Sequence, residues 1–226
     1  MIYPKWHSKI VKKVGVISEN KLYIRVIVFS LFILALTYFY LTNQDARSPL
    51  NKAVADTSII LIGLSMLLTS LCYFWDFVDT KIIYRKHLGL VGFAYAIFHV
   101  ALSYSGVLSL FKIETWQKGT YWPLFTGAIA LGIFSVMALI SNKYAGIKLG
   151  GVGWRNTLRT GYTAVALIWL HVFLLKSARI VSWYNDGMKT PASTGLIVLV
   201  FMAIVIIMRV LLWISLWEKS RTSVVR

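Results

Sequence analysis

The sequence predicts an all-α polytopic membrane protein, a bundle of six transmembrane helices with both termini in the cytoplasm. Three observations predict it: an apolar composition, six apolar segments of spanning length and an uneven distribution of positive charge. Hydrophobic residues make up 58% of the 226 residues, and mean hydropathy is +0.70. Because a soluble domain carries roughly 45–50% apolar residues, we expect the bilayer to be the solvent for most of this chain.

Six apolar segments approach the roughly 20 residues that cross about 30 Å of hydrocarbon. They lie at 26–41, 58–75, 88–108, 123–140, 162–180 and 194–216. The prediction therefore divides the chain into a basic cytoplasmic segment at 1–25, a six-helix transmembrane domain at 26–217 and a cytoplasmic tail at 218–226. No soluble catalytic domain fits into the loops that remain.

Lysine and arginine are distributed unevenly around these segments. Sixteen of the 24 lie before the first segment, after the last, or in the loops at 76–86 and 141–161. Seven lie in the three alternate regions, counting Lys176 and Arg179 near the end of the fifth segment, and Arg209 lies inside the sixth. Because cytoplasmic loops carry the excess of Lys and Arg, helices one, three and five are predicted to run outward. We interpret the net charge of +16 as a signal of topology and of anionic lipid contact, not as a nucleic-acid surface.

The residues before the first segment are typical of a retained membrane anchor. The first apolar stretch begins near Val26 after a long basic leader, and no small-residue cleavage site follows it. Trp6, Ile10, Val14 and Ile17 recur at helical spacing, so a short amphipathic helix on the membrane surface and a disordered basic tail both stay open. With no targeting signal in view, we expect the membrane to be a bacterial inner membrane.

Two of the four histidines, His99 and His171, lie well inside predicted helices. An imidazole in hydrocarbon needs a ligand or a hydrogen bond, so each is a functional-site candidate. They follow the starts of their segments by about 16 and 14 Å at 1.5 Å per residue, and both segments start on the same side. Similar depth, near the bilayer centre or slightly toward the outside, is what two axial ligands of one haem iron need.

Small residues accompany His99 on the third predicted helix. Gly92 and Ala96 project to roughly the same face, where they would leave room for a porphyrin. Alternatively, the two histidines hydrogen-bond between helices and the small residues serve helix packing, since both are common in membranes. Neither a zinc motif nor a carboxylate cluster accompanies the histidines, so we do not expect a zinc or hard-metal site.

The stretch from Arg85 to Tyr104, RKHLGLVGFAYAIFHVALSY, resembles the third-helix signature of the ferric reductase-like transmembrane domain family. The resemblance continues with Trp154 and the segment at 162–171, and at the level of pattern it covers about residues 57–184. Within the family, the chain is most similar to the small haem-binding membrane subunit of the bacterial periplasmic methionine sulfoxide reductase system.

This resemblance implies b-type haem held between the third and fifth helices, and electron transfer across the membrane. His99 and His171 match the outer pair of family ligands. The inner pair would fall near Arg85 and at Leu158, where this chain has no ligand, and His87 is the nearby alternative. The resemblance therefore implies one haem b per chain.

The resemblance also implies separate electron-donor and electron-acceptor partners, because the chain has no flavin or nicotinamide domain of its own. A single haem near mid-membrane leaves about half of the 30 Å core for electrons to cross from the cytoplasm. Arg209, inside the sixth segment, and the basic residues near Arg85 are candidates to hold a flavin or a quinone head group there. Snorkelling toward lipid headgroups is the alternative. Arg179, two turns beyond His171, is a candidate partner for a haem propionate.

Two other functions stay open at this point. One is a membrane protein without a cofactor, a small transporter or scaffold whose buried histidines bond to neighbouring helices. Transporters often contain broken helices or inverted repeats, and the sequence shows neither. The other is a degenerate family member that binds haem as a sensor or assembly factor.

Overall fold

The computed structural model describes residues 18–44, 48–104 and 121–224, together with positions 108, 112 and 114. Every regular element in these ranges is helical and none is a strand, which confirms the predicted all-α class. The helices are α1 Glu19–Thr42, α2 Pro49–Phe74, α3 Arg85–Leu102, α4 Trp122–Ile140, α5 Lys143–Lys148, α6 Gly150–Arg159, α7 Gly161–Asn185 and α8 Thr194–Val224, and the 3₁₀ helix Asp76–Tyr84 joins α2 to α3. The predicted amphipathic stretch from Trp6 to Ile17 lies outside the described residues.

Five helical stretches are long and apolar enough to cross a bilayer, which indicates a multi-pass membrane protein. They are α1, α2, α4, Gly150–Asn185 and Thr194–Arg221. The helix at the predicted third span, α3, is not among them. It has 18 residues, about 27 Å at 1.5 Å per residue, and its two basic residues and two histidines lower its mean hydropathy.

The second span begins earlier than the segment predicted at 58–75. α2 starts with Pro49 in its first turn, a position where proline's fixed φ favours helix formation. The polar residues Asn51, Lys52 and Asp56 interrupt the apolar pattern there, but Asp56 is buried within the bundle. Because these side chains face protein and not lipid, hydropathy alone placed the start of the helix nine residues late.

α2 is the central helix of the bundle. It packs against α1, α3 and α8, and 61% of its most apolar stretch is buried, against 17–28% for the other four spans. Its Ile62 and Met66 join Val165 of α7 and Met202 of α8 in the main apolar core. The outward faces of the other helices carry large exposed apolar side chains, as lipid contact requires.

The polar groups concentrate at two ends of the bundle. We call the end where α1, α3 and α7 finish and α2, α4 and α8 begin the histidine end, because His99 and His171 lie toward it. The opposite end, formed by the 3₁₀ helix, α5, α6 and the start of α3, is the arginine end, named for Arg85.

Candidate functional site: a histidine pair between two helices

His99 lies three residues before the end of α3, beside the first turn of α2. Its Nδ1 is 2.7 Å from Oδ1 of Asn51. The amide nitrogen of Asn51 in turn donates to Oγ of Ser103 at 2.9 Å. In this orientation of the amide, Oδ1 faces the imidazole, so Nδ1 of His99 is the donor.

His171 lies in the middle of α7 and contacts the first two turns of α4. Its Nδ1 is 2.5 Å from the carbonyl oxygen of Pro123. The ring lies against Gly127, where a Cβ would come within 2.9 Å of Nδ1 and 3.1 Å of Cε1. Only glycine at 127 leaves the ring in this position, so α4 both orients the imidazole and makes space for it.

Both histidines therefore have the same protonation pattern. A carbonyl oxygen can only accept, so Nδ1 carries the proton in His171, as it does in His99. Each Nε2 then has a free lone pair, and neither Nε2 forms a hydrogen bond within the described chain. This is the tautomer of a metal-bound histidine, which donates its second ring N–H to a protein oxygen and ligates with the other nitrogen.

The two histidines lie on helices that do not pack directly against each other in the described ranges. α3 packs mainly on α2, and α7 packs mainly on α4 and α8. The rings are close enough to interact electrostatically. Since Asn51 and Pro123 belong to the first turns of their helices, the pair lies toward the histidine end of the bundle.

Gly92 faces α2 in this structure. Oγ of Ser58 donates to its carbonyl oxygen at 2.8 Å, and a Cβ on Gly92 would lie 2.9 Å from Cγ1 of Ile62 and 3.0 Å from Cβ of Leu61. Its small size therefore allows close packing of α3 on α2, which is the alternative role considered above. Ala96 is half-buried on the same helix.

His87 points away from the pair. It is buried, its ring meets that of Tyr23 edge to face at 4.4 Å, and its Nδ1 lies 3.2 Å from the carbonyl oxygen of Ile83. Nε2 of this histidine has no partner in the described chain. The surroundings of His87 are thus α1 and the 3₁₀ helix, and not α7.

A cavity of about 190 Å³ at the arginine end brings together two positions singled out by the family resemblance. Arg85 and Leu158 both line it. The rest of its wall is mainly apolar and aromatic and includes Phe93, Phe134 and Trp154. The guanidinium of Arg85 has no hydrogen bond or ion pair within the described chain. A cation therefore faces an apolar cavity where the family would place its inner ligands.

Arg209 and Arg179 occupy different surroundings from the histidine pair. The guanidinium of Arg209 stacks over the ring of Tyr162 at 4.3 Å, near the arginine end. Arg179 is exposed and lines a second, larger cavity at the histidine end. Neither cavity is lined by His99 or His171.

No group of three or more His, Cys, Asp or Glu side chains that could hold a metal ion occurs in the parts of the chain that the structure describes. His99 and His171 together offer two protein ligands to a metal-containing group. No family model matches the chain.

Three residues that support the pair had no signal in the sequence. Asn51 precedes the predicted second segment, the carbonyl of Pro123 is a backbone atom, and Gly127 is one of several glycines in apolar segments. A search for small or polar residues in the first two turns of helices antiparallel to those of His99 and His171 would have selected Asn51 and Gly127.

Proposed function

We propose that this chain is a six-helix haem b membrane protein that transfers electrons from a flavin or quinol donor on the cytoplasmic side to an acceptor at the outer face. The observation that carries the proposal is the shared tautomer: each histidine donates from Nδ1, and its Nε2 has no hydrogen bond to any described residue. The resemblance of 85–104 to the ferric reductase-like family supports it independently.

The topology that this function needs is six spans with cytoplasmic termini. α3 is the remaining span, because it packs along the central α2 and its basic residues, Arg85 and Lys86, lie at one end only. The excess of Lys and Arg in the loops of the arginine end makes that end cytoplasmic. The histidine end then faces outward.

His99 and His171 would hold the iron through Nε2, and a haem bound there would supply one-electron oxidation and reduction at the outer half of the membrane. Asn51 and the carbonyl of Pro123 keep both rings in the ligating tautomer and raise their basicity. Gly127 sets the position of the His171 ring. The basicity of the two ligands would contribute to the reduction potential.

Electrons would arrive through the cavity at the arginine end. Arg85 lies 14 residues before His99 on α3, about 21 Å along the helix axis, so a donor must approach from that side. The cavity volume of about 190 Å³ is smaller than the roughly 300–1,000 Å³ of sites for whole drug-sized ligands. It therefore suits the ring system of a quinone or a flavin, with Arg85 beside a developing negative charge.

Electron transfer across a sealed vesicle tests this function. Purified haem-supplemented protein is reconstituted into liposomes that trap ferricyanide, and reduced flavin mononucleotide is added outside. Wild-type protein should bleach ferricyanide well above the rate of protein-free vesicles, and His171→Ala should return the rate to that baseline. If folded, haem-containing wild type bleaches ferricyanide only at the rate of protein-free vesicles, a haem sensor is favoured. If folded wild type binds no haem, a cofactor-free transporter or scaffold is favoured.

A further inference from the structure

The larger cavity lies at the histidine end, away from the histidine rings. Its volume is about 780 Å³, within the roughly 300–1,000 Å³ typical of small-molecule sites. The ends of α1 and α7, the beginnings of α2 and α8, and the connection between α7 and α8 surround it. It is partly open to the surface, so a ligand can reach it without crossing the bundle.

Three cationic side chains line this cavity: Lys52, Lys176 and Arg179. Lys176 is half-buried, and its stem packs so closely on Gly195 that a Cβ there would lie 2.9 Å from Cγ of the lysine. Neither Lys176 nor Arg179 forms a hydrogen bond or ion pair within the described chain. Holding cations together in this way is unfavourable unless an anion lies between them.

Two carboxylates lie nearby and offset part of the positive charge of the cluster. Asp186 lines the cavity, and its Oδ2 accepts a hydrogen bond from Oγ of Ser182 at 3.4 Å. Asp56 is buried on α2, hydrogen-bonded to Thr194, and interacts electrostatically with Lys52 and Lys176, although it does not line the cavity. The described lining residues carry three positive charges and one negative charge, and Arg179 lies outside this interaction.

The N-terminus of α8 adds to the positive potential. The carbonyl oxygen of Ser193 accepts from the backbone N–H groups of Leu196 and Ile197 at 3.0 and 3.3 Å. Thr194 and Gly195, the first two residues of the helix, line the cavity. The N–H groups of a first turn have no partner within the helix and carry the positive end of its dipole. Such an end favours a bound anion.

Two hydrogen bonds hold the wall of the cavity. Nε1 of Trp183 donates to the carbonyl oxygen of Thr190 at 2.8 Å, and the hydroxyl of Tyr40 donates to the carbonyl oxygen of Ala192 at 2.6 Å. These bonds tie the connection between α7 and α8 to both neighbouring helices. These hydrogen bonds therefore fix the position of the backbone that surrounds the cationic side chains.

We propose that this cavity binds a phosphate-bearing ligand through Lys52, Lys176, Arg179 and the first turn of α8. The ligand is either the headgroup of an anionic phospholipid or a soluble phosphate ester, because both offer the same tetrahedral oxyanion to Arg and Lys. Leu41, Ile180 and Trp183 add apolar surface to the cavity lining, where either ligand could place its apolar portion. Binding here requires no haem.

The test compares wild type with Arg179→Gln and with the double change Lys176→Gln and Arg179→Gln. Native mass spectrometry of protein from phosphatidylglycerol nanodiscs detects retained lipid, with phosphatidylcholine nanodiscs as the neutral reference. Quenching of Trp183 fluorescence by inorganic phosphate detects the soluble source, with Trp183→Phe as the blank. Each change should weaken binding by about tenfold or more, the loss expected for one charge-assisted hydrogen bond.

Lys189→Gln is the matched control, because Lys189 is an exposed lysine of the same connection that does not line the cavity. Lipid retention that depends on Lys176 and Arg179 assigns the site to a phospholipid, and phosphate quenching without lipid retention assigns it to a soluble ester. Arg179→Gln, at an exposed position, keeps the test valid if the double variant fails to fold. Equal binding in wild type and Arg179→Gln, or loss of haem in place of loss of phosphate, would overturn the proposal.

Discussion

The histidine end and the arginine end both place polar side chains in an apolar bundle, but they satisfy those side chains differently. At the histidine end, each imidazole has one nitrogen bonded to a protein oxygen, and the other makes no hydrogen bond to the residues that the structure describes. At the arginine end, the guanidinium of Arg85 faces a cavity and has no partner in the described chain. The first arrangement suits a metal held by directed lone pairs, and the second suits an anion held by charge.

The strongest test of this difference is removal of the histidines. His99→Ala and His171→Ala should each abolish haem binding, because one axial ligand alone leaves the iron without its second directed bond. Pyridine haemochrome quantitation per folded chain measures the loss, from about one haem b to none. His87→Gln, at a buried histidine outside the pair, should keep its haem. Retention of haem in either alanine variant would contradict the proposal that both histidines ligate one haem iron.

Gly127→Ala should produce the next largest effect. The added Cβ would lie 2.9 Å from Nδ1 of His171, so the ring must move and its bond to Pro123 weakens. Losing the hydrogen bond that orients a metal ligand typically lowers metal affinity by about 10–100-fold. We therefore expect the rate of haem transfer to apomyoglobin to increase by about 10–100-fold. Gly132→Ala on the same helix meets no atom within 4 Å and should transfer haem at the wild-type rate.

Asn51→Ala should weaken haem binding less severely, by about tenfold, because His99 loses its acceptor while its backbone position is unchanged. The reduction potential should also rise, since a less basic imidazole stabilises ferric iron less well. A redox titration followed at the haem absorption bands measures the shift. Asn156→Ala, at an exposed asparagine of the arginine end, is the control, and an unchanged potential in Asn51→Ala would contradict the role of this bond.

At the arginine end, Arg85→Gln should leave haem content unchanged and slow reduction by an external donor. The expected loss is about tenfold, the effect of one hydrogen bond to a charged group. Stopped-flow reduction of the haem by a quinol or by reduced flavin measures it. Lys81→Gln, at an exposed lysine of the 3₁₀ helix, should reduce at the wild-type rate, and equal rates for Arg85→Gln would remove the cavity from the electron path.

The smallest effect on chemistry should come from Gly92→Ala. The new methyl would overlap Ile62 and Leu61, and such overpacking costs about 1–3 kcal/mol of unfolding free energy. Thermal unfolding in detergent should therefore move to lower temperature, while haem per folded chain stays the same. Loss of haem without loss of stability would instead favour a porphyrin lying against Gly92.

Hydropathy was sufficient to predict most of the spanning helices, but it could not predict which residues surround the histidines. Five predicted spans match helices of spanning character, since long apolar runs have few other conformations in a bilayer. The polar start of α2, with Asn51, was missed because burial by neighbouring helices cannot be read from one segment. The face of Gly92 was ambiguous for the same reason: helical spacing gives which residues share a face, but not which neighbour that face meets.

The most direct test of the central claim is the electron paramagnetic resonance spectrum of the oxidised, haem-supplemented protein. Two axial histidines on one iron predict a low-spin ferric signal accounting for all the haem, and its disappearance in both His99→Ala and His171→Ala. A high-spin signal in the wild type, or a low-spin signal that survives either substitution, would contradict ligation of one iron by this pair.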